Sequence, residues 1–132
     1  MLRTMSFLIR DTPIPLQRPR MSGSHCWDSQ KQQKLVIGIQ LTTQFHDSAL
    51  FEGPLLVELN FHFPFPKRMT AKQRIDNNGM PYIGKIDIDN CIKMYLDCAI
   101  GILYKDDATV TEIISKKVYG KPHTQMIITE LT

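Results

Sequence analysis

Nine residues, Leu55 to Phe63, constrain this chain of 132 residues more than any others. Leu55, Val57, Leu59, Phe61 and Phe63 fall on one side of an extended segment, and Glu58, Asn60 and His62 on the other. Alternation with period two is the pattern of a strand with one buried face. Gly53-Pro54 breaks the chain before it. Pro64 and Pro66 end it, because proline has no N–H to give to a strand ladder.

Weaker signals divide the rest. Met5 to Ile9 reads as a first strand. Pro13, Pro15 and Pro19 then stiffen a loop that carries Arg18 and Arg20 and continues through Ser22, Gly23, Ser24 and His25. Asp28 and Ser29 can cap a helix running to about Phe45. Its amphipathic face is Leu35, Ile39 and Thr42 to Thr43, widened by Val36 and Ile37, which predicts a well-buried helix. Residues 67–85 are polar, with Lys67, Arg68, Lys72, Arg74 and Lys85 against the single acid Asp76. One helical turn is expected around Ala71 to Arg74, and a tight turn at Asn77-Asn78-Gly79. A helix follows from about Asn90 to Ala99, with Gly101 placed to end it in a left-handed cap. Tyr104 to Asp107 reads as a turn and Val110 to Tyr119 as a strand. With a turn at Gly120-Lys121-Pro122 and a last strand from Gln125 to Glu130, the C-terminal region is expected to be an antiparallel hairpin.

Several function classes drop out. The three cysteines, Cys26, Cys91 and Cys98, are odd in number and form no CxxC pair, so neither a disulfide framework nor a zinc site is expected, and a reducing compartment fits. No apolar run approaches the ~20 residues of a membrane span, and no signal peptide is expected. The glycine-rich phosphate loops GxxxxGK[ST] and GxGxxG are absent, as is GxSxG. The four histidines, His25, His46, His62 and His123, are scattered. A net charge of +3 permits a nucleic-acid partner without requiring one.

The chemistry concentrates in Lys85-Ile86-Asp87-Ile88-Asp89-Asn90. Alternation puts Asp87 and Asp89 on one side and Ile86 and Ile88 on the other. From Asn90 the apolar spacing changes to Ile92, Leu96, Ala99 and Leu103, one face of a helix. Asp89 and Asn90 suit a helix start, and Lys93 lies one turn beyond Asp89. A second acidic pair, Asp106-Asp107, follows the helix. An EF-hand opened at Asp87 would need Gly and Glu where Ile92 and Cys98 stand, which excludes it. Helix capping alone explains a lone DxDN. The shared side of the two acids, the lysine and the second pair together point to a hard divalent cation, which wants several carboxylate oxygens. Magnesium so held can activate water and polarise a phosphodiester, while a neighbouring lysine stabilises developing negative charge. The basic stretches suit a phosphate backbone.

Taken together, these residues resemble the RusA family of Holliday-junction resolvases. The match runs through Lys85 to Asn90, then Lys93, Asp97, Gly101, Tyr104-Lys105-Asp106-Asp107, Val110 and Lys116-Lys117-Val118-Tyr119-Gly120. Pro15 to Arg20 is similar to the family's basic segment, and Phe63-Pro64 to Lys67 to the end of its central strand. The resemblance implies one nuclease domain over 1–132, of α/β (α+β) class, with helices packed on a mixed β-sheet, working as a homodimer. It implies Asp87, Asp89 and Asp107 as metal ligands, Lys93 as the catalytic lysine, and Asp106 as a further ligand or a support for one. The cofactor implied is Mg²⁺, with Mn²⁺ able to replace it. The activity implied is paired nicking of four-way DNA junctions in recombination and repair, by a cytoplasmic protein of bacterial or phage origin with no membrane partner. DNA contacts are expected from Arg18, Arg20, Lys67, Arg68, Lys72, Arg74 and Lys85. Ile86 departs from the family, which often has proline there. A C2 dimer is also expected on geometric grounds, because its two identical sites match two opposed cuts. The competing readings are a branched-DNA-binding module that does not cut and a related nuclease acting on flaps or forks.

Overall fold

The computed structural model describes residues 2–46 and 49–132, apart from the side chain of Arg20. The expected DNA contact of Arg20 therefore lies outside the described residues. In chain order the elements are β1 (Thr4–Arg10), β2 (Arg20–Ser22), β3 (His25–Trp27), α1 (Lys31–Gln44), β4 (Leu55–Phe63), α2 (Ala71–Asn77), α3 (Ile88–Ala99), β5 (Val110–Tyr119) and β6 (His123–Glu130). A single 3-10 turn, Asp107–Thr109, precedes β5.

The strand with the sharpest alternation lies inside a four-stranded mixed sheet of order β1-β6-β4-β5. β4 runs parallel to β5 and antiparallel to β6. Leu55, Val57, Leu59 and Phe61 are fully buried, each contributing about 1.5–3 kcal/mol from removal of apolar surface from water. They share a face with Phe7 and Ile9 of β1 and with Met126 and Ile128 of β6, and α1 and α3 cover that face. The other face carries the half-buried Glu58, Asn60 and His62.

Four expectations need correction. β5 and β6 are not a hairpin, because β4 separates them. Pro64 turns the chain away at the end of β4, and the 120–122 turn crosses that end, with the Gly120 amide donating to the Phe63 carbonyl at 2.9 Å. Residues 20–27 are a two-stranded ribbon in which Arg20 pairs with Trp27 and Ser22 with His25 around Gly23, whose φ of 60° suits the turn. α1 is turned the other way: it buries Ile37 and Leu41 and leaves Leu35, Val36 and Ile39 exposed. Its glutamines explain the orientation. Gln44 accepts from the Leu8 amide and donates to the Leu8 carbonyl, and Gln40 accepts from the Arg10 amide, so the free edge of β1 is satisfied by α1. Finally, α3 begins at Ile88, two residues early, with Asp87 as its N-cap residue.

Candidate metal and DNA site

α3 is the platform. It buries Cys91, Met94, Tyr95, Leu96, Cys98 and Ala99 against the sheet, so its opposite face is left to polar groups. Asp89, Lys93 and Asp97 recur there at four-residue steps. Asp87 and Asp89 are exposed while Ile86 and Ile88 pack against the core. The alternation read from the sequence thus appears in the burial, produced by a helix start rather than a strand. Neither Asp87 nor Asp89 has a side-chain partner among the described residues; Asp87 in particular makes no capping bond with its side chain.

Asp107 reaches the same face of α3 from beyond the helix. Gly101, at φ 81°, reverses the chain, and buried Tyr104 donates its hydroxyl to the Leu96 carbonyl at 2.7 Å, pinning the return to the last turn of α3. Asp106 caps the 3-10 turn: its carboxylate accepts from the Ala108 amide at 3.0 Å, and that bond is the main reason its carboxyl sits below the usual range. Asp106 thereby sets the turn on which Asp107 stands.

Lys93 joins the two ends. Its ammonium lies 2.8 Å from Asp97 Oδ1 and 3.3 Å from Asp107 Oδ2. The hydrogen bond to Asp97, aided by Asp107, holds Lys93 above its ordinary range, so it is cationic throughout neutral pH. Among the described residues, no three His, Cys, Asp or Glu side chains are gathered closely enough to hold an ion unaided. The donor set still fits magnesium. Its hard oxygens suit that cation, which typically takes one or two carboxylates and completes its shell with water and phosphate, and Asp87 and Asp89 have no competing partner. Cys91, just beyond, is buried in the core, and burial is the main force pushing its thiol up to about 11.

The basic segments are held in place to different degrees. The Leu16 amide donates to the Asn90 carbonyl at 2.9 Å, tying the N-terminal arm to the first turn of α3. Buried Gln30 fixes that arm by accepting from the Gln17 amide and donating to the Pro15 carbonyl. Arg18 follows one residue later and is exposed. Lys67 and Arg68 stand exposed in the turn after β4, and Lys72 is exposed on α2. Arg74 differs, because its guanidinium bonds the Met69 and Pro66 carbonyls and lies over the Phe65 ring, so it shapes the 65–69 turn. Lys85 is exposed beside Ile86.

Two features escaped the sequence reading. One is the β2–β3 ribbon, where exposed Trp27 stacks on His25 with ring centroids 5.4 Å apart. The other is Lys117, whose ammonium lies 2.6 Å from the Ile86 carbonyl, next to Asp87. The signal for it was the Lys116-Lys117 pair inside a strand, since alternation obliges one of two neighbours to face inward.

The family model Endodeoxyribonuclease RusA matches residues 12–129, a span that contains every residue of this site. The chain is also similar to the Bacillus subtilis (strain 168) protein named Uncharacterized protein YqaN, with 24% identity and 97% of each chain covered.

Proposed function

This chain belongs to the RusA family of endodeoxyribonucleases, enzymes that hydrolyse DNA and act on branched junctions; from that premise we propose that it resolves four-way junctions by paired, Mg²⁺-dependent nicks in recombination and repair. The proposal treats residues 1–132 as one nuclease domain that works in the cytoplasm as a homodimer. No helix among the described residues is long and apolar enough to cross a membrane.

The observation that carries the reading is the approach of Lys93 to Asp107, with Asp89 one helical turn before Lys93, and Asp87 and Asp89 without a side-chain partner among the described residues. Asp87 and Asp89, with Asp107, would hold the ion, and Mn²⁺ would serve in place of Mg²⁺. When bound, the ion supplies a Lewis acid for the phosphoryl oxygen and lowers the pKa of an attacking water. Lys93 offers a fixed positive charge to the oxygens on which negative charge builds. Asp97 keeps that ammonium on the acidic side of α3, and Asp106 keeps Asp107 in its turn. Arg18, Arg20, Lys67, Arg68, Lys72 and Lys85 would track phosphates, giving recognition by shape; Arg74 would act through the turn it holds.

The test is incubation with a synthetic four-way junction, a flap, a fork and linear duplex, each with and without Mg²⁺. Symmetric nicks in the junction, only with the metal, are expected. Preferential cutting of flaps or forks would replace junction resolution with the related nuclease activity.

A further inference from the structure

Lys117 joins the acidic loop to the sheet. In β5 it pairs with Phe61 of β4, and its side chain is half-buried. Its ammonium reaches the Ile86 carbonyl at 2.6 Å and lies 5.4 Å from the centre of the Tyr82 ring. Its own carbonyl accepts from the Tyr82 amide at 3.0 Å. Tyr82 in turn stacks on Phe63 with centroids 4.2 Å apart. Gly84 passes so close to the Tyr82 hydroxyl that any Cβ there would collide with it. Between Tyr82 and Asp87, Ile83, Gly84 and Lys85 are exposed. Lys117 therefore closes this loop from both ends.

We propose that Lys117 is a positioning residue for the metal site: by holding the Ile86 carbonyl it fixes the peptide plane before Asp87, and so the direction in which the Asp87 carboxylate points. This rests on the metal reading above. A bond from an ammonium to a carbonyl is charge-assisted and strong, and partners standing behind metal ligands typically govern affinity by about 10–100-fold. Charge alone would act in the opposite sense. Removing a cation near two carboxylates should tighten divalent-ion binding, whereas removing a tether should weaken it.

The experiment follows Mn²⁺ binding to the full chain without DNA, by electron paramagnetic resonance of the free ion. Compared are the wild type, Lys117→Met, Lys117→Arg and Asp89→Asn, each with its thermal midpoint. The expected result is about tenfold or greater weakening in Lys117→Met, recovery in Lys117→Arg, which keeps donor and charge, and loss in Asp89→Asn. Should Lys117→Met not fold, Lys117→Gln, shorter and neutral but polar, takes its place in the same comparison. Unchanged or tighter binding in Lys117→Met, with binding lost in Asp89→Asn, would overturn the tether and leave the metal site standing. Equal losses in the methionine and arginine variants would overturn it in favour of plain packing. Binding that ignores Asp89→Asn would overturn the metal site itself, and the role of Lys117 with it.

Discussion

Lys93 and Asp107 stand 14 residues apart in sequence and 3.3 Å apart in space. The contact ties the exposed face of α3 to the turn that follows it, and it exists because buried Tyr104 folds that turn back onto the helix. An exposed ion pair contributes little to stability, about 0–1 kcal/mol, so its value is better sought in rate than in folding.

We expect Lys93→Ala to lower the cleavage rate by about 100- to 1000-fold, the cost typical of removing one stabiliser of transition-state charge. Junction affinity and the thermal midpoint should barely move. Single-turnover rates and gel-shift affinities measured on one preparation check this, and equal losses of both would make Lys93 an ordinary phosphate contact.

Asp89→Asn keeps the size but removes the charge that attracts a cation. Cleavage should disappear while junction binding persists. Cutting at the wild-type rate would remove Asp89 from the site.

Lys67 and Arg68 are exposed in one turn. Replacing both with alanine should weaken binding to every junction sequence alike and flatten the slope of log affinity against log salt by up to about two, at about 0.9 per phosphate contact. Cutting at saturating protein should persist. An unchanged slope would leave the turn simply solvated.

Leu59 of β4 is 0% exposed. Truncation to alanine leaves a cavity the sheet cannot close, and we expect Leu59→Ala to cost about 2–5 kcal/mol in urea unfolding.

The His62 and His123 rings stack with centroids 4.0 Å apart on the open face of the sheet. Burial first, then the charges of His123 and Lys116, hold the His62 imidazole below its ordinary 6.5. A base whose folded value is depressed binds fewer protons folded than unfolded, so its contribution is present above 6.5 and is lost as pH falls through the lower folded value. The thermal midpoint should therefore decline as pH drops from 6.5 toward 5, and His62→Gln should flatten that decline. The same slope in both proteins would assign it to other groups.

How much of this was legible in the sequence depended on whether the signal was local. The span of β4 and its buried face followed from alternation between a Gly-Pro break and two prolines, and its observed bounds are Leu55–Phe63. The partner of β5 was not legible. A turn at 120–122 fits a hairpin as well as a crossover past one strand, and only the exit of the chain at Pro64 decides between them. The buried side of α1 was misread because hydrophobicity is spread around that helix, and Gln40 and Gln44, silent in an apolar count, set its rotation. In the acidic stretch, the exposure of Asp87 and Asp89 over Ile86 and Ile88 followed from residue order. The Lys93 pairing with Asp107 did not, because it depends on where the buried Tyr104 hydroxyl finds its acceptor.

The place of β6 bears on when this protein can exist in folded form. The last strand in sequence lies between β1 and β4, so its ladder with β1 pairs Thr4 with Thr129. As the chain leaves the ribosome, β1 has no partner in this sheet until β6 has been made. Such long-range pairing is slow to nucleate. A nascent chain stalled before His123 would carry the acidic loop and Lys93 but lack the strand that joins β1 to β4. In this arrangement the four-stranded sheet behind α3 and the acidic loop can close only after β6 has been made.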